Sequence, residues 1–329
     1  MAGRQLSLIG QHEPQALSPV KRRLLDAACD IALGGPEELA FQHSCMAQCS
    51  LPASKPDPAV SVWDKRQGRA QLRVEAGSVI DPKTRRYVRP GLPYGPKARL
   101  LLMHLNTEAI RSGSPVIPVE DSMTAFFRRL MGKTQDGRQA KMLKHQLTAL
   151  AAANFHISIV YDDERAVQMN SHVVAAFDLW FPDESWQRIL WPSTLRLSTD
   201  YFESLTRYAV PLDERAIAAL AHSAMALDIY AWLAQRLHRI PEGRPQFVPW
   251  ALLHEQFGQD YARIRKFREI FFVALRQVQA AYPEAKLAGD GRGMMLHRSS
   301  PPVRKRLVTV GECAVWGGEL PAPSASGDE

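Results

Sequence analysis

The order of predicted elements between Gly91 and Leu150 constrains the fold of this chain more than any other feature. A Gly-Leu-Pro-Tyr-Gly turn leads into an aliphatic stretch with an early proline, Pro96 to Arg111, which predicts a buried helix. Ser114 to Val119 contains two prolines, so it fits an edge strand but not a central one. Two more helices are predicted, from Ser122 to Gly132 and from Arg138 to Ala153. A helix, an edge strand and two further helices are typical of a winged-helix DNA-binding domain.

The helix from Arg138 to Ala153 has two contrasting faces. A rotation of about 100° per residue places Leu143, Leu147 and Leu150 on one side. The other side carries side chains that can contact phosphates and base edges, namely Arg138, Lys141, Lys144, His145 and Thr148. We therefore predict that this face enters the major groove. A solvated surface is the alternative for any single basic face.

The same order of elements is predicted a second time. Glu214 to Arg239 is predicted to be one long helix, and Pro249 to Phe257 a short helix that ends at Gly258. The next helix, Tyr261 to Tyr282, has an apolar side of Ile264, Phe267, Phe271, Leu275 and Val278. Its polar side carries Arg263, Arg265, Lys266, Glu269, Arg276 and Gln277. Glu269 is spaced to pair with Arg265.

A β-hairpin is predicted after each basic helix. In the second unit, Lys286-Leu287 and Met294 to His297 flank a glycine-rich tip that contains Arg292. In the first unit, Phe155 to Tyr161 and Ala166 to Phe177 flank a polar turn. Both hairpins are predicted to be wings. Only the order of elements recurs, because the two units share no close sequence repeat.

Charge supports a nucleic-acid partner through its position more than its total. The chain has 329 residues and a formal net charge of +7. Outside the two basic helices, cations cluster near a Pro/Gly-rich turn and after the second hairpin: Lys83, Arg85, Arg86, Arg89, Lys97, Arg99, Arg298, Arg304, Lys305 and Arg306. We predict phosphate contacts from these loops, with a merely solubilising role as the alternative.

Other signals limit the remaining classes. The sequence lacks a long apolar run and a signal-peptide core, so we expect a cytoplasmic protein with no membrane partner. His43, Cys45 and Cys49 do not have a standard zinc spacing, so we expect small buried thiols and no metal or cofactor. Phosphate-loop, nucleophile-elbow and paired-histidine patterns are missing, and we therefore expect no enzymatic activity. Five tryptophans in apolar contexts are predicted to pack in the core: Trp180, Trp186, Trp191, Trp232 and Trp250.

Several motifs resemble the plasmid-encoded RepA family of replication initiators. They are HSCMAQCSLP from His43, a tryptophan with a Gly-Arg turn and strand from Trp63, GLPYGPKARLLL from Gly91, TEAIR from Thr107, DSMTAFFRRLMG from Asp121, and VPLDERAIAAL with ALDIYAWL from Val210 and Ala226. GLPYGPKARLLL is the most specific, since no general demand of helix or turn chemistry produces it. The segment Lys133 to Gly137 departs from the family by lacking a glycine-rich turn.

The resemblance and the patterns together predict an α+β, mostly helical chain with two winged-helix domains in tandem. The predicted divisions are a helical or flexible extension (1–40), a β/loop segment packed on the first domain (41–90), the first winged-helix domain (91–192), the second (193–302), and a basic, then disordered tail (303–329). Within the extension, a helix from Ser18-Pro19 to Gly34-Gly35 would either pack on the core or mediate self-association.

The resemblance also implies the function. A member of this family binds repeated double-stranded DNA sites (iterons) at a plasmid origin, promotes origin opening and loads the host replicative helicase with the host initiator protein. It further implies a homodimer that represses its own gene. A winged-helix transcriptional repressor is the first alternative, and a DNA-nicking enzyme is a second, less favoured one.

Overall fold

A computed structural model of the chain describes residues 18–81, 84–118, 125, 128, 137–160, 166–177 and 194–304. The helices are α1 (Pro19–Leu33), α2 (Ser44–Gln48), α3 (Gly95–Ser112), α4 (Gly137–Ala152), α5 (Thr199–Tyr208), α6 (Glu214–Leu220), α7 (Ala224–Arg236), α8 (Trp250–Phe257) and α9 (Ile264–Ala281). The strands are β1 (Leu39–His43), β2 (Val62–Gln67), β3 (Ala70–Glu75), β4 (Val79–Asp81), β5 (Arg86–Val88), β6 (Val116–Pro118), β7 (Asn154–Val160), β8 (Ala166–His172), β9 (Val174–Phe177), β10 (Thr194–Leu197), β11 (Ala209–Asp213), β12 (Gln246–Pro249), β13 (Leu287–Gly289) and β14 (Gly293–Leu296). This mixture confirms the predicted α+β class.

Some predictions fall on residues outside the described ranges. They are the helix from Ser122 to Gly132 apart from residues 125 and 128, the tip of the first hairpin, Lys83, three of the tryptophans (Trp180, Trp186 and Trp191) and the tail from residue 305 onwards. Among the described residues, no helix is both long and apolar enough to cross a membrane.

The first long helix forms as predicted. Pro96 lies in the first turn of α3, and Gly113 ends it with a left-handed φ of 62°. Its leucines are fully buried, so α3 is the central scaffold of the first half of the chain. The edge strand β6 follows it and lies at the edge of a three-stranded sheet in the order β6-β10-β9.

The predicted first wing was only partly right. Its two strands pair as a hairpin, with Ile157 opposite Met169. However, β7 also pairs with β3, and the hairpin belongs to a four-stranded sheet in the order β2-β3-β7-β8. The strands that share a sheet with β6 are β10 and β9. The strand β7 therefore pairs with β3 of the preceding hairpin β2–β3. Local sequence patterns do not indicate this long-range pairing.

The long helix predicted from Glu214 to Arg239 was wrong in one respect, because it is interrupted. The helix α6 ends at Leu220, and Ser223 caps a new helix, α7, by accepting a hydrogen bond from the Ala226 backbone NH. A 3₁₀ turn at Leu237–Arg239 continues α7. A serine cap inside an apolar run satisfies the backbone of a new first turn, which makes the break stable.

In the second half, α8, α9 and the hairpin β13–β14 form where they were predicted. Gly258 follows α8 at its C-terminal cap, and the strand order of the adjoining sheet is β12-β14-β13. On α9, four of the five predicted apolar residues are buried, but Ile264 is exposed because it is the first residue of the helix. The strand β12 was not predicted.

The two halves share one continuous hydrophobic core. Trp232 and Trp250 are buried in it, as predicted. The strand β1 pairs with β11, so residues 39–43 lie beside residues 209–213. The helix α1 packs against α6 and α9. Of the two roles that the sequence left open for this helix, packing on the core and self-association, the structure therefore supports packing. The domain boundaries stay a prediction.

The histidine and two of the cysteines near the chain start are buried side chains of this core. The Cys45 and Cys49 thiols donate to the Gln71 and Ala70 carbonyl oxygens, as expected for small buried thiols. His43 Nδ1 accepts from the Cys45 backbone NH at 3.1 Å, and Nε2 lies 3.0 Å from Ser204 Oγ. Both ring nitrogens are thus occupied by structural hydrogen bonds.

Acid is expected to destabilise the protein through His43. Burial lowers the pKa of His43 to about 4, below its ordinary value of 6.5. The neutral ring therefore contributes stability above pH 6.5 that is lost as the pH falls towards 4, at up to about 1.4 kcal/mol per pH unit. Urea unfolding of wild type and H43N at several pH values would measure this. An equally steep pH dependence in H43N would assign the loss to other groups.

Candidate nucleic-acid interface

The helix α4 presents its predicted basic face outward. Arg138, Lys141 and His145 are exposed and Lys144 is half-buried, while Leu143, Leu147 and Leu150 are buried against α3. The fifth predicted residue, Thr148, is half-buried, and its hydroxyl donates to the Lys144 carbonyl oxygen at 2.9 Å. Thr148 thus bonds within its own helix, and the cations and His145 form the accessible part of this face.

Local electrostatics distinguish the side chains on α4. Partial burial lowers the pKa of Lys144. Partial burial, and secondly the nearby Lys55 ammonium, lower the pKa of His145 below 6.5. Both effects favour the neutral His145 ring, which can donate or accept a hydrogen bond without adding positive charge. Lys55 is an exposed cation beside this face that the sequence patterns did not single out.

The glycine-rich turn before α3 supports α4. The Tyr94 backbone NH donates to Gln146 Oε1 at 2.8 Å, and the Tyr94 ring packs edge-on against the His145 ring. Gly95 has a φ of 75°, and its NH donates to the Pro52 carbonyl oxygen. The left-handed backbone there favours glycine over residues with a Cβ. The GLPYG turn thus positions the middle of the basic helix.

The second basic helix, α9, is more open to solvent. Arg263 precedes it and is exposed, and the Arg265 and Lys266 side chains are 90% and 61% exposed. Both pair with Glu269, at 3.6 and 3.4 Å, which confirms the predicted pairing of Arg265 and leaves most of each cation accessible. Arg276 is exposed two turns further along.

Trp250 connects α9 to the hairpin β13–β14. Its ring packs edge-on against Phe267, Phe271 and Phe272 of α9. Its Nε1 donates to the Asp290 carbonyl oxygen, and its backbone NH donates to the Arg292 carbonyl oxygen. The hairpin tip is therefore held at a fixed position relative to the basic helix.

The tip itself is ordered by Asp290. One Asp290 carboxylate oxygen accepts from the backbone NH groups of Arg292 and Gly293, which lowers the pKa of that carboxyl. The Arg292 side chain is 86% exposed and lies 3.4 Å from the same carboxylate. A cation on a short, rigid tip beside a basic helix is well placed to contact a second segment of phosphate backbone.

The remaining predicted contacts lie elsewhere. Arg298 is exposed at the base of the hairpin, in an open polar cleft of about 640 Å³ that Arg244 and Lys286 also line. Arg85 and Arg86 are exposed in the hairpin β4–β5, where Arg85 has a left-handed φ of 54°. Arg85 and Arg86 thus belong to a separate hairpin, and Arg298 follows the second hairpin.

Arg99 does not contact phosphate from a surface loop, as was predicted, but is buried. It is 2% exposed and forms a two-pronged ion pair with Asp228, with nitrogen–oxygen distances of 2.6 and 2.7 Å. The same guanidinium donates to the carbonyl oxygens of Leu51, Pro52 and Gly95. It therefore cannot reach a phosphate, and its role is to join α3 to α7.

Within the described ranges, no group of three or more His, Cys, Asp or Glu side chains is arranged to hold a metal ion. The described residues of the candidate interface are cations, amides and aromatic rings on helices and a hairpin. Such groups bind phosphate and base edges.

Comparison with known proteins gives one family and a distant structural likeness. No curated protein matches the chain. Two solved structures of domains 2 and 3 of RctB are similar over 78% of this chain and 99% and 96% of their own, at 11% identity and a TM-score of 0.48. At that level the similarity does not extend to function. The family model described as "Plasmid encoded RepA protein" matches residues 92–251. This match includes the GLPYGPKARLLL motif from its leucine onward, together with α3, α4 and α7, and it confirms the resemblance to the plasmid-encoded RepA family over residues 92–251.

Proposed function

We propose that this chain is a replication initiator that binds double-stranded DNA through two winged-helix units in tandem. The sheet order supports the second part of this proposal. In one unit the strand after the scaffold helix α3 pairs in the order β6-β10-β9, and in the other the strand after α7 pairs in the order β12-β14-β13. In each unit the first strand, β6 or β12, pairs with the last strand, β10 or β14. The two units therefore share a sheet topology although their sequences are not similar.

The observation that carries DNA binding is the cation array that Trp250 holds together. Arg265 and Lys266 on α9 and Arg292 on the hairpin tip are strongly exposed and are mounted on one aromatic cluster. A helix in the major groove and a hairpin over the adjacent backbone would use these side chains for base edges and phosphates. The basic face of α4 would occupy a second segment of the same duplex.

The match of residues 92–251 to the RepA family model supports the biological part of the proposal. We infer binding to direct repeats at a plasmid origin, followed by opening of the origin and loading of the host helicase with the host initiator protein. A homodimer would repress the chain's own gene. These steps require no chemistry by the chain itself, so the proposed protein is a non-enzymatic, cytoplasmic one without a cofactor.

Fluorescence anisotropy on duplexes tiled across the region flanking the gene tests this function. Tight binding to repeat-containing duplexes and weak binding to a shuffled control are expected. If about six phosphates are contacted, log K should fall with log salt at a slope near −5. Equal, weak binding to every duplex would reject site-specific recognition. Specific binding without strand opening in a permanganate assay would favour the transcriptional repressor.

Two double substitutions assign the two helices. K141A/K144A on α4 and R265A/K266A on α9 should each weaken specific binding by about 30-fold or more, because each removes two contacts of about 1–3 kcal/mol. The melting temperature should change little, because three of these four side chains are exposed and Lys144 is half-buried. K21A/R22A is the matched control, since it removes two adjacent exposed cations from α1. An unchanged Kd for either test variant would remove that helix from the interface.

A further inference from the structure

A set of polar contacts joins the segment before α3 to the end of α8 and the loop before α9. Lys65 Nζ donates to the carbonyl oxygens of Glu255 and Gln256, both at 3.1 Å. Gln256 Nε2 donates to the Gln48 carbonyl oxygen at 3.0 Å. Both the NH and the hydroxyl of Ser54 donate to one Asp260 carboxylate oxygen, at 3.1 and 2.9 Å. We call these contacts, from Gln48, Ser54 and Lys65 to Glu255, Gln256 and Asp260, the seam.

The contacts of the seam that involve Lys65 and Gln256 are buried and therefore hold a fixed geometry. Lys65 is 7% exposed, and its ammonium meets the last carbonyl oxygens of α8, the end of a helix that attracts cations. Burial lowers the pKa of Lys65 to about 8, so the ammonium is still the main form at pH 7. Gln256 is also buried. Charged donors held on buried carbonyl oxygens keep a fixed geometry better than exposed ion pairs do.

A short path of contacts leads from the seam to each basic helix. On one side, Pro52 accepts the Gly95 NH, and the adjacent Tyr94 is bonded to Gln146 and packed on His145 of α4. On the other side, Asp260 lies in the loop that connects α8 to Arg263 and α9. The loop around residues 51–55 therefore touches the supports of both helices.

We propose that the seam is a spacer that fixes the separation and rotation between α4 and α9, and thereby the number of base pairs between the two DNA segments they read. The inference rests on the proposed function for its DNA part only. Ser54, Lys65 and Asp260 act as positioning residues, because none lies on the basic faces. They determine mainly which number of base pairs between the two DNA segments is preferred. Their effect on the affinity for the preferred DNA is smaller.

The geometric part is tested without DNA. Spin labels at Met142 on α4 and Val273 on α9, both exposed, are introduced as cysteines after Cys29 and Cys313 have been replaced by serine. Electron–electron double resonance should give a narrow distance distribution in this background. Adding D260A should broaden it, and adding K65M as well should broaden it further. A distribution that stays equally narrow in both variants would overturn the proposal.

The functional part uses DNA with altered spacing. Insertion of five base pairs between the two protected segments rotates one by about half a helical turn. Wild-type protein should then lose about 30-fold in affinity or more, whereas D260A/K65M, which removes both the exposed and the buried side-chain contacts of Asp260 and Lys65, should lose less than about 5-fold. The same penalty in D260A/K65M as in wild type would overturn the spacer. Failure of the wild-type protein to bind any duplex would instead reject the proposed function. The spin-label distances would still show whether the seam fixes the arrangement of α4 and α9.

Two matched variants exclude a general loss of stability. D57A removes an exposed carboxylate three residues after Ser54 whose hydrogen bond comes from the nearby Ala59 NH, within its own segment, so it should keep the wild-type spacing penalty. D260N keeps an oxygen that can accept from Ser54 and should restore the narrow distance distribution. Broadening in D57A, or no restoration in D260N, would show that the seam is not what holds the helices.

Discussion

Replacement of Arg99 by alanine is expected to lower the free energy of unfolding by about 3–5 kcal/mol. The substitution leaves the Asp228 carboxylate buried without its guanidinium partner and removes the Arg99 donor from the Leu51 carbonyl oxygen; the Pro52 carbonyl oxygen keeps the Gly95 NH. Lysine cannot replace the planar fork, so R99K should recover only part of the loss. Urea unfolding followed by circular dichroism and tryptophan fluorescence measures the difference.

Two further observations distinguish ion-pair loss from lost packing. Burial raises the pKa of Asp228 and Arg99 opposes this, so in R99A the carboxyl should take up a proton more readily. The deficit relative to wild type should therefore shrink as the pH is lowered, because a neutral Asp228 needs no partner. The apolar pair R99M/D228L should be more stable than R99A alone. A deficit below about 1 kcal/mol at pH 7 would mean that water solvates Asp228.

Phe267→Ala should cost about 3–5 kcal/mol through the cavity that it leaves in the second half of the core. Phe267 is fully buried and contacts the rings of Trp250, His254, Tyr261 and Phe271. The melting temperature should fall sharply. The DNA affinity of the fraction that stays folded should fall only modestly, because the exposed cations are untouched.

Val273→Ala is the matched control on the same helix. Val273 is exposed, so its truncation should change stability by less than about 0.5 kcal/mol. If F267A were instead stable and selectively unable to bind DNA, the apolar and basic faces of α9 would have been assigned the wrong way round.

The sequence predicted those parts of the fold that depend on local patterns. The helices α3, α4, α8 and α9 follow from apolar periodicity with a proline or glycine at an end, and the hairpin β13–β14 follows from its glycine-rich tip. The outward cations on α4 and α9 follow from the same periodicity, because a helix that buries one stripe must expose the other.

Most of the errors involve partners that are distant in sequence, whereas the break between α6 and α7 comes from the local cap at Ser223. Arg99 was grouped with surface cations because its partner, Asp228, is 129 residues away. Local patterns predict the first hairpin as a wing, because the strand that pairs with it, β3, comes from the segment before α3. Lys65, Ser54 and Asp260 belong to no recognisable sequence motif. Their role follows only from the contacts that they make in the folded chain. No local pattern encodes such pairings.

The pairing of β1 with β11 has a consequence for how the chain is made. During synthesis, residues 39–43 leave the ribosome long before residues 209–213, their only strand partners among the described residues. The early strand must stay unpaired while more than half of the chain is added, and closing so large a loop is entropically slow. The first half therefore completes its native structure only after much of the second half has emerged, and a nascent chain stalled before β11 exposes an open strand edge that chaperones can bind.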